Sequence, residues 1–207
     1  MSDNSLDKIV IATRNLGKVN EILDLFQSIK VPFGTLADHP ETTDIEETGT
    51  TFAENAELKA AAYAGQTGHW CLADDSGLEV TALGGRPGVL SARYGGADLS
   101  SPEKMNLLLN ELAGLGDSAR DARFVCVMAL ADRPGRIRYS AEGECRGRIA
   151  LAPRGNGGFG YDPIFIPEGF KQTFGELSPL AKNKISHRTA AAKKILRYLL
   201  GFTDVAT

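Results

Sequence analysis

Short apolar, β-branched segments alternate with helical patterns along this chain, and this order limits the possible folds more than any other feature. Lys8–Thr13 contains an Ile-Val-Ile run and predicts a buried strand. From Gly17 to about Ile29, large apolar side chains recur on one helical face, which predicts a helix. Asp132-Arg133-Pro134-Gly135 predicts a tight turn between two further strands and argues against an all-parallel sheet. The sequence therefore predicts an α/β fold with a mixed sheet flanked by helices.

The remaining elements follow from apolar spacing and from helix caps. Thr51 and Glu54 form a capping box that opens an alanine-rich helix to about Thr67. Ser101-Pro102 and Ser178-Pro179 each have the pattern of a helix N-cap with proline at the first helical position. Further predicted elements are strands at Val31–Leu36, Trp70–Ala73, Arg123–Ala131, Arg136–Cys145 and Pro163–Ile166, a polar loop at Asp38–Thr50 and a last helix to about Leu200.

Composition is typical of a globular protein and argues against two classes of partner. The 207 residues, 43% of them hydrophobic, fit a single domain, 1–207, with enough core to fold unaided. The net charge of −3 lacks the excess of Lys and Arg that nucleic-acid binding requires. We expect no membrane span and no signal peptide, because apolar runs are short and the first eight residues are polar. Three cysteines without CxxC spacing indicate free thiols and a cytoplasmic location.

The segment Thr13-Arg14-Asn15-Leu16-Gly17-Lys18 lies where the first predicted strand passes into the first helix. Such a junction presents free backbone amides to an anion, and Lys18 is available for a phosphate oxygen. The segment lacks the spacing of a P-loop or of a dinucleotide-binding glycine motif. An ordinary loop in which Asn15 caps the helix is therefore an equally good interpretation.

Two adjacent carboxylates, Asp74 and Asp75, directly follow a predicted apolar strand. Their solvation cost and mutual repulsion would be offset by a cation. Successive strand residues point to opposite faces, so one of the two should face a given cleft, and the spacing does not say which. A turn opened by Asp74 is the alternative. Glu46-Glu47 is a second acid pair, of interest because Mg²⁺ often takes one or two carboxylates together with substrate phosphates.

A glycine-rich segment, 155–162, leads to Phe159, Tyr161 and Asp162. Glycine lets the backbone approach a ligand closely, and an aromatic ring stacks on a nucleobase with about 1–3 kcal/mol. The alternative is a loop with Phe159 packed into the core. That alternative does not explain why Asp162 follows at once, just ahead of an apolar strand.

Basic residues collect near the C-terminus at Lys182, Lys184, His187 and Arg188. In one continuous helix the last three would share a face, and Lys182 would point away from His187. If Lys182 and His187 contact the same ligand, the helix must break, and Ser186 would cap a second helix. A solvated basic face is the alternative. Taken together, the basic, acidic and aromatic clusters predict a site for a nucleoside triphosphate and a divalent cation.

These segments also give the chain a resemblance to a known family, the inosine/xanthosine triphosphate pyrophosphatases, also called Ham1-like. The resemblance extends from Ile9 to about Leu196 and is carried by six motifs in order. The motifs are T-x-N-x-x-K at Thr13–Lys18, E-E-T-G-x-T-F-x-E-N-A at Glu46–Ala56, A-D-D-S-G-L at Ala73–Leu78, G-x-P-G-x-x-S-A-R-Y at Gly85–Tyr94, G-F-G-Y-D-P-x-F at Gly158–Phe165 and K-x-x-I-S-H-R at Lys182–Arg188.

The resemblance implies an elongated, mixed α/β structure of two lobes around a central nucleotide cleft, usually as a homodimer. It implies Mg²⁺-dependent hydrolysis of dITP, ITP or XTP to the monophosphate and pyrophosphate. Asp75 would be the proton acceptor and, together with Glu46, a metal ligand. The residues implied to bind the substrate are Thr13, Arg14, Asn15, Leu16, Gly17, Lys18, Ser76, Phe159, Gly160, Tyr161, Asp162, Lys182, His187 and Arg188.

Three other functions fit parts of the sequence. A related pyrophosphatase could prefer a modified pyrimidine nucleotide, although Phe159 and His187 argue against it. A regulatory module could bind nucleotides without catalysis, but it would not need a metal site made of paired acids. A kinase or phosphotransferase would release orthophosphate or phosphorylate an acceptor. The nature of the released product separates these functions.

Overall fold

The computed structural model describes residues 6–116 and 119–203, and these contain six β-strands and five α-helices. The strands are β1 Ile9–Ile11, β2 Phe33–Thr35, β3 Trp70–Val80, β4 Asp121–Ala131, β5 Ile137–Ile149 and β6 Phe165–Pro167. The helices are α1 Leu16–Leu25, α2 Phe52–Thr67, α3 Ser101–Ala113, α4 Pro179–Ile185 and α5 His187–Thr203. No helix in these two ranges is long and apolar enough to cross a bilayer.

A single mixed sheet contains all six described strands in the order β2-β1-β3-β4-β5-β6. The first strand, β1, pairs in parallel with both of its neighbours, whereas β5 and β6 are antiparallel. Neighbouring strands β4 and β5 are joined by the predicted turn, in which the Gly135 amide donates to the Asp132 carbonyl. The predicted mixed α/β fold is confirmed.

The chain divides into two compact units, each with its own core. Unit 1 comprises Met1–Asp75, Cys126–Gly143 and Arg188–Thr207. Its apolar core is built from β1, α1, the start of β3, the end of β4 and α5. Fully buried members include Ile9, Ile11, Ile22, Trp70, Leu72, Met128, Leu130, Ile195 and Leu199.

Unit 2 comprises Ser76–Val125 and Glu144–His187. Its core combines the second half of β3, α3, the start of β4, the end of β5 and β6. Apolar members include Leu78, Val80, Leu108, Leu112, Phe124, Ile149, Phe165 and Phe174. Strands β3 and β4 therefore each contribute residues to both cores.

Helix boundaries follow the predicted caps closely. The Thr51 hydroxyl accepts from the Glu54 amide, and the Glu54 carboxylate accepts from the Thr51 amide, which confirms the capping box. The N-cap of α4 is Ser178, as predicted, with proline following. The N-cap of α3 is Ser100 rather than Ser101, because the Glu103 carboxylate accepts from the Ser100 amide.

The basic run does not form one continuous helix, and the break lies at Ser186, where the second of the two interpretations placed it. The first of the two helices, α4, ends at Ile185, and Ser186 adopts extended backbone angles of φ −69° and ψ 155°. A new helix, α5, begins at His187. The break frees Lys182 and His187 from the fixed angular relationship that one continuous helix would impose.

The predicted end of the third strand at Ala73 is wrong. Strand β3 continues through Asp74 and Asp75 to Val80, so the alternative of a turn opened by Asp74 is wrong as well. The physical reason is that both carboxylates lie beside basic side chains, which offset the charges that would otherwise end a buried strand. The first helix is shorter than predicted, because α1 ends at Leu25 rather than near Ile29.

Candidate active site

The turn between β1 and α1 is held by its own polar side chains. The Asn15 side chain accepts from the Lys18 amide at 3.1 Å and caps α1, as the alternative interpretation proposed. The Thr13 hydroxyl accepts from the Asn15 amide at 3.2 Å. Leu16 lies largely exposed at the first position of the helix. The turn is thus preorganised, with backbone amides of the first helical turn pointing outward along the helix axis.

Arg14 turns towards the polar segment that precedes α2. Its guanidinium donates to the Asp44 carboxylate at 2.6 Å and to the Thr42 carbonyl at 2.9 Å. The pair with Asp44 is exposed, so its contribution to stability is small. These contacts tie the segment around Thr42 to the turn that contains Arg14.

Asp74 is a fully buried carboxylate held by three donors in unit 1. Lys18 Nζ lies 2.5 Å from one of its oxygens, and Arg188 Nη2 lies 3.0 Å from the other. The thiol of Cys126 donates to the second oxygen over 3.1 Å. Arg188 also pairs with Glu21 on α1 and is 1% exposed. Arg188, implied by the resemblance to bind the substrate, is therefore placed in a buried ion-pair network that anchors Lys18.

Asp75 lies on the opposite face of β3 and has a different partner. Lys59 on α2 donates to one of its oxygens at 3.0 Å, and donates to Glu47 at 2.7 Å. The other oxygen, Oδ2, is buried and lacks a hydrogen-bond partner within the described part of the chain. The two acids thus meet separate lysines, in keeping with the alternation of successive strand residues.

The pKa values of the two carboxylates are shifted in opposite directions. Burial would raise the pKa of Asp74, but the charges of Arg188 and Lys18 outweigh it and hold that pKa far below its usual value. Burial raises the pKa of Asp75 above its usual value, although the charges of Lys59 and Lys18 oppose the shift. Asp74 is thus stabilised in its ionised form, while Asp75 has an increased affinity for a proton.

The acids of unit 1 suit a divalent cation whose coordination is completed by oxygen atoms of a bound ligand. In the described ranges, no three His, Cys, Asp or Glu side chains gather closely enough to hold a metal on their own. Mg²⁺ does not need such a cage, because it commonly takes one or two carboxylates with phosphate oxygens and water. The partnerless Asp75 Oδ2 is a suitable donor. Glu46 is exposed, whereas Glu47 is half-buried beside Lys59.

The glycine-rich segment of unit 2 wraps around the carboxylate of Asp162. The Phe159 amide donates to Asp162 Oδ2 at 2.8 Å. A Cβ atom on Gly158 would lie 1.9 Å from the same oxygen, and Gly158 has a φ of +72°, so only glycine fits. Phe159 is half-buried, and Gly160 follows it with a φ of +61°. Tyr161 instead points into the core, where its hydroxyl donates to the Ser91 carbonyl at 3.1 Å.

Lys182 joins this segment from α4. Its ammonium lies 2.6 Å from Asp162 Oδ2, and both side chains are buried. The same ammonium lies 4.9 Å from the ring centroid of Phe159, within the range of a cation–π contact. The structure therefore brings together three of the predicted substrate-binding residues, Phe159, Asp162 and Lys182.

The two other predicted residues of unit 2 lie on different elements. The side chain of Ser76 is half-buried, in β3 directly after Asp75. His187 is buried at the start of α5, with its ring stacked on Phe124 at a centroid distance of 4.7 Å.

Several of these contacts were not predicted from the sequence, although the sequence pattern around one of them, that of Lys59, indicates a buried ion pair. Lys59 shares the inward face of α2 with Ala56 and Tyr63, at helical spacings of three and four. A lysine among buried positions calls for an anionic partner, which Asp75 and Glu47 provide. Cys126 and Glu21 gave no comparable signal, because their role depends on contacts across 52 and 167 residues.

The chain has a mixed α/β fold in which an amide-rich turn follows β1 and buried acid–base pairs lie in the same unit, a combination that suits a charged ligand. The sequence profile of the Ham1 family matches residues 9–198, and the chain belongs to this family. The resemblance stated from the motifs is confirmed.

Curated relatives agree with this assignment. A dITP/XTP pyrophosphatase of Geobacillus kaustophilus is 51% identical over 191 residues, covering 92% of this chain and 93% of the relative. A dITP/XTP pyrophosphatase of Gloeobacter violaceus is 50% identical over 188 residues, covering 91% and 92%.

Solved structures give the same fold. A HAM1 protein from Coxiella burnetii superposes with a TM-score of 0.86 at 41% identity, covering 94% of this chain and 98% of the other. A nucleoside-triphosphatase / dITP/XTP pyrophosphatase from Mycobacterium abscessus gives 0.73 at 42% identity, covering 91% and 98%.

Proposed function

We propose that this chain is a nucleoside-triphosphate pyrophosphatase that hydrolyses non-standard purine nucleotides, such as dITP, ITP and XTP, to the monophosphate and pyrophosphate. Curated relatives about half identical over nine-tenths of the chain carry the name dITP/XTP pyrophosphatase. The observation that carries the proposal is the environment of Asp75. One oxygen of this buried carboxylate is held by Lys59, and the other is left without a partner within the described ranges.

Asp75 is the proton acceptor in the proposed reaction. Its pKa is raised by burial, which strengthens it as a base compared with an exposed carboxylate. Water attacks the α-phosphorus, a new P–O bond forms, and the bond from that phosphorus to the bridging oxygen breaks. The proton of the water passes to the Asp75 carboxylate, and pyrophosphate leaves with the bond electrons. Lys59 fixes this carboxylate through Oδ1.

The charges of the triphosphate are offset by groups of unit 1. Within Thr13–Lys18, the backbone amides of Leu16 and Gly17 in the first helical turn and the ammonium of Lys18 bind phosphate oxygens in the proposal. Mg²⁺, when bound, supplies further positive charge to the phosphates. Asp75 would hold the ion, together with Glu46 as the resemblance implies. Glu47 also suits this role, because Lys59 links it to Asp75.

The base is recognised by residues of unit 2 in the proposal. The ring of Phe159 stacks on the purine, and the ammonium of Lys182, fixed by Asp162, donates to the 6-keto edge. A 6-amino group would oppose donor to donor, at a cost of about 1–3 kcal/mol for each unpaired group. Ser76 and His187 also contact the nucleotide. The proposal therefore predicts preference for hypoxanthine and xanthine over adenine.

We further propose that the chain acts as one pyrophosphatase domain in a cytoplasmic homodimer. Its three cysteines are buried free thiols, which suits a reducing compartment. Light scattering of the purified protein tests the dimer: a mass of about 22.1 kDa would identify a monomer instead.

The experiment is a substrate panel of dITP, XTP, dATP and a modified pyrimidine triphosphate with Mg²⁺, with pyrophosphate and orthophosphate measured separately. Pyrophosphate released fastest from dITP or XTP supports the proposal. Faster turnover of the pyrimidine favours the related pyrophosphatase, and orthophosphate release favours a phosphotransferase. Binding without any product would identify a regulatory module. Chelation of Mg²⁺ should abolish turnover, and added Mg²⁺ should restore it.

A further inference from the structure

Two buried rings lie face to face in unit 2. Phe124 on β4 and His187 at the start of α5 have ring centroids 4.7 Å apart, and their planes differ by 12°. Phe124 is 7% exposed and His187 is 4% exposed. The contact uses a face of the imidazole, whereas both ring nitrogens lie on its edge.

Phe124 is itself held by two other rings. Its centroid lies 4.7 Å from that of Phe165, in an edge-to-face arrangement, and 6.0 Å from that of Phe174. The centroids of Phe165 and Phe174 lie 5.1 Å apart, and both side chains are almost fully buried. Since buried rings at this spacing are close-packed, Phe124 cannot tilt without disturbing the whole cluster. The surface under the imidazole is therefore rigid.

The position of His187 in the chain leaves its side chain less restricted by its own helix than a residue further along would be. His187 directly follows Ser186, the extended residue that separates α4 from α5. A residue at the first position of a helix has no preceding helical turn to restrict its side chain. The flat face of Phe124 supplies the restriction that the backbone does not.

We propose that Phe124 is a positioning residue that fixes the plane of the His187 imidazole for hydrogen bonding to the nucleotide. This inference rests on the proposed function, in which His187 contacts the substrate. Phe124 acts through His187 and touches no reacting atom. Its loss should weaken nucleotide binding and leave the chemical step at Asp75 almost unchanged.

The first test compares Phe124→Leu with Phe165→Leu. Both changes remove the same ring from the same buried cluster, but the stack on His187 belongs to Phe124. Phe124→Leu should raise KM for dITP about three- to tenfold, the range of one aromatic stacking contact, with kcat within about twofold. Phe165→Leu should lower Tm similarly and raise KM less. Equal KM values in the two variants would overturn the inference.

The second test is a double-mutant cycle with His187→Ala. If Phe124 acts through His187, Phe124→Leu should add little to KM once the imidazole is absent. If the KM of the double variant rose by the product of the two single-variant factors, the two residues would act independently and the inference would be overturned. Phe124→Tyr keeps the flat face and should retain the KM of the wild type. If Phe124→Leu does not fold, Phe124→Met takes its place in both tests, because it has no flat face.

The wild-type protein separates failure of this inference from failure of the proposed function. Without pyrophosphate release from dITP by the wild type, the proposed function is wrong and the inference falls with it. Normal release by the wild type, with equal KM values for the two leucine variants, overturns the role of Phe124 alone.

Discussion

Lys59 Nζ lies 3.0 Å from Oδ1 of Asp75, on the carboxylate oxygen opposite to the partnerless Oδ2. The lysine therefore orients the carboxylate and also opposes, by its charge, the rise in pKa that burial causes. Burial alone would lower the pKa of Lys59, but Asp75 and Glu47 outweigh it and raise that pKa. Lys59 is thus a fixed positive charge beside the proposed base. Replacement of Lys59 and replacement of Asp75 should therefore change the kinetics in different ways.

Replacement of Asp75 by asparagine removes the proton acceptor and keeps the shape of the side chain. We expect kcat to fall by at least about a hundredfold, the usual contribution of an acid–base group, while nucleotide affinity is retained. Single-turnover kinetics and equilibrium binding of dITP give the two quantities separately. Near-normal turnover would remove Asp75 from the mechanism.

Replacement of Lys59 by methionine should change the pH dependence of activity. The Lys59 charge favours the ionised form of Asp75, so its loss should raise the pKa of Asp75 further. Because the base acts in its ionised form, the acidic limb of the kcat/KM profile should move to higher pH. Exposed Lys193 provides the control, since Lys193→Met should leave the profile in place. If the acidic limb does not move in Lys59→Met, the charge of Lys59 does not affect the group that titrates there.

The proposed role of Lys182 can be tested against a neighbour on the same helix. Lys182 is buried with Asp162, whereas Lys184, two residues on, is exposed. Lys182→Ala should raise KM for dITP with a smaller effect on kcat, because the lost contact is made to the bound nucleotide in ground state and transition state alike. Lys184→Ala should retain both constants. An unchanged KM in Lys182→Ala would exclude the side chain from nucleotide binding.

Local chemistry determined which parts of the fold could be predicted. The capping box at Thr51 depends on residues within one helical turn, and its prediction is confirmed. The break at Ser186 is equally local, and the sequence offered it as one of two interpretations of the basic run. The continuation of β3 through Asp74 could not be foreseen, because its partner Arg188 is 114 residues away. A carboxylate pair without known partners is more typical of a turn than of a buried strand.

The same limit applies to the candidate site. The sequence places Lys182, His187 and Arg188 in one basic cluster, but the structure separates their surroundings. Lys182 meets Asp162, His187 stacks on Phe124, and Arg188 meets Asp74. Residue type and spacing thus predicted which segments carry the charges. Which acid meets each base depends on the packing of distant elements, and spacing contains no such information.

The opposite pKa shifts of the two acids predict opposite effects on stability. Asp74→Asn leaves Lys18 without its buried anion and leaves Arg188 with Glu21 alone, and should cost about 3–5 kcal/mol in the free energy of unfolding at pH 7. The lowered pKa of Asp74 means that its contribution is complete above the unfolded-state pKa of about 3.9 and is lost as pH falls below it. Asp75→Asn should be neutral or stabilising at pH 7, because the raised pKa of Asp75 means that burial disfavours its charge. Urea unfolding at pH 7 and at pH 3.5 tests both expectations. The deficit of Asp74→Asn should narrow at the lower pH, and a deficit that widened there would contradict the assigned charge state.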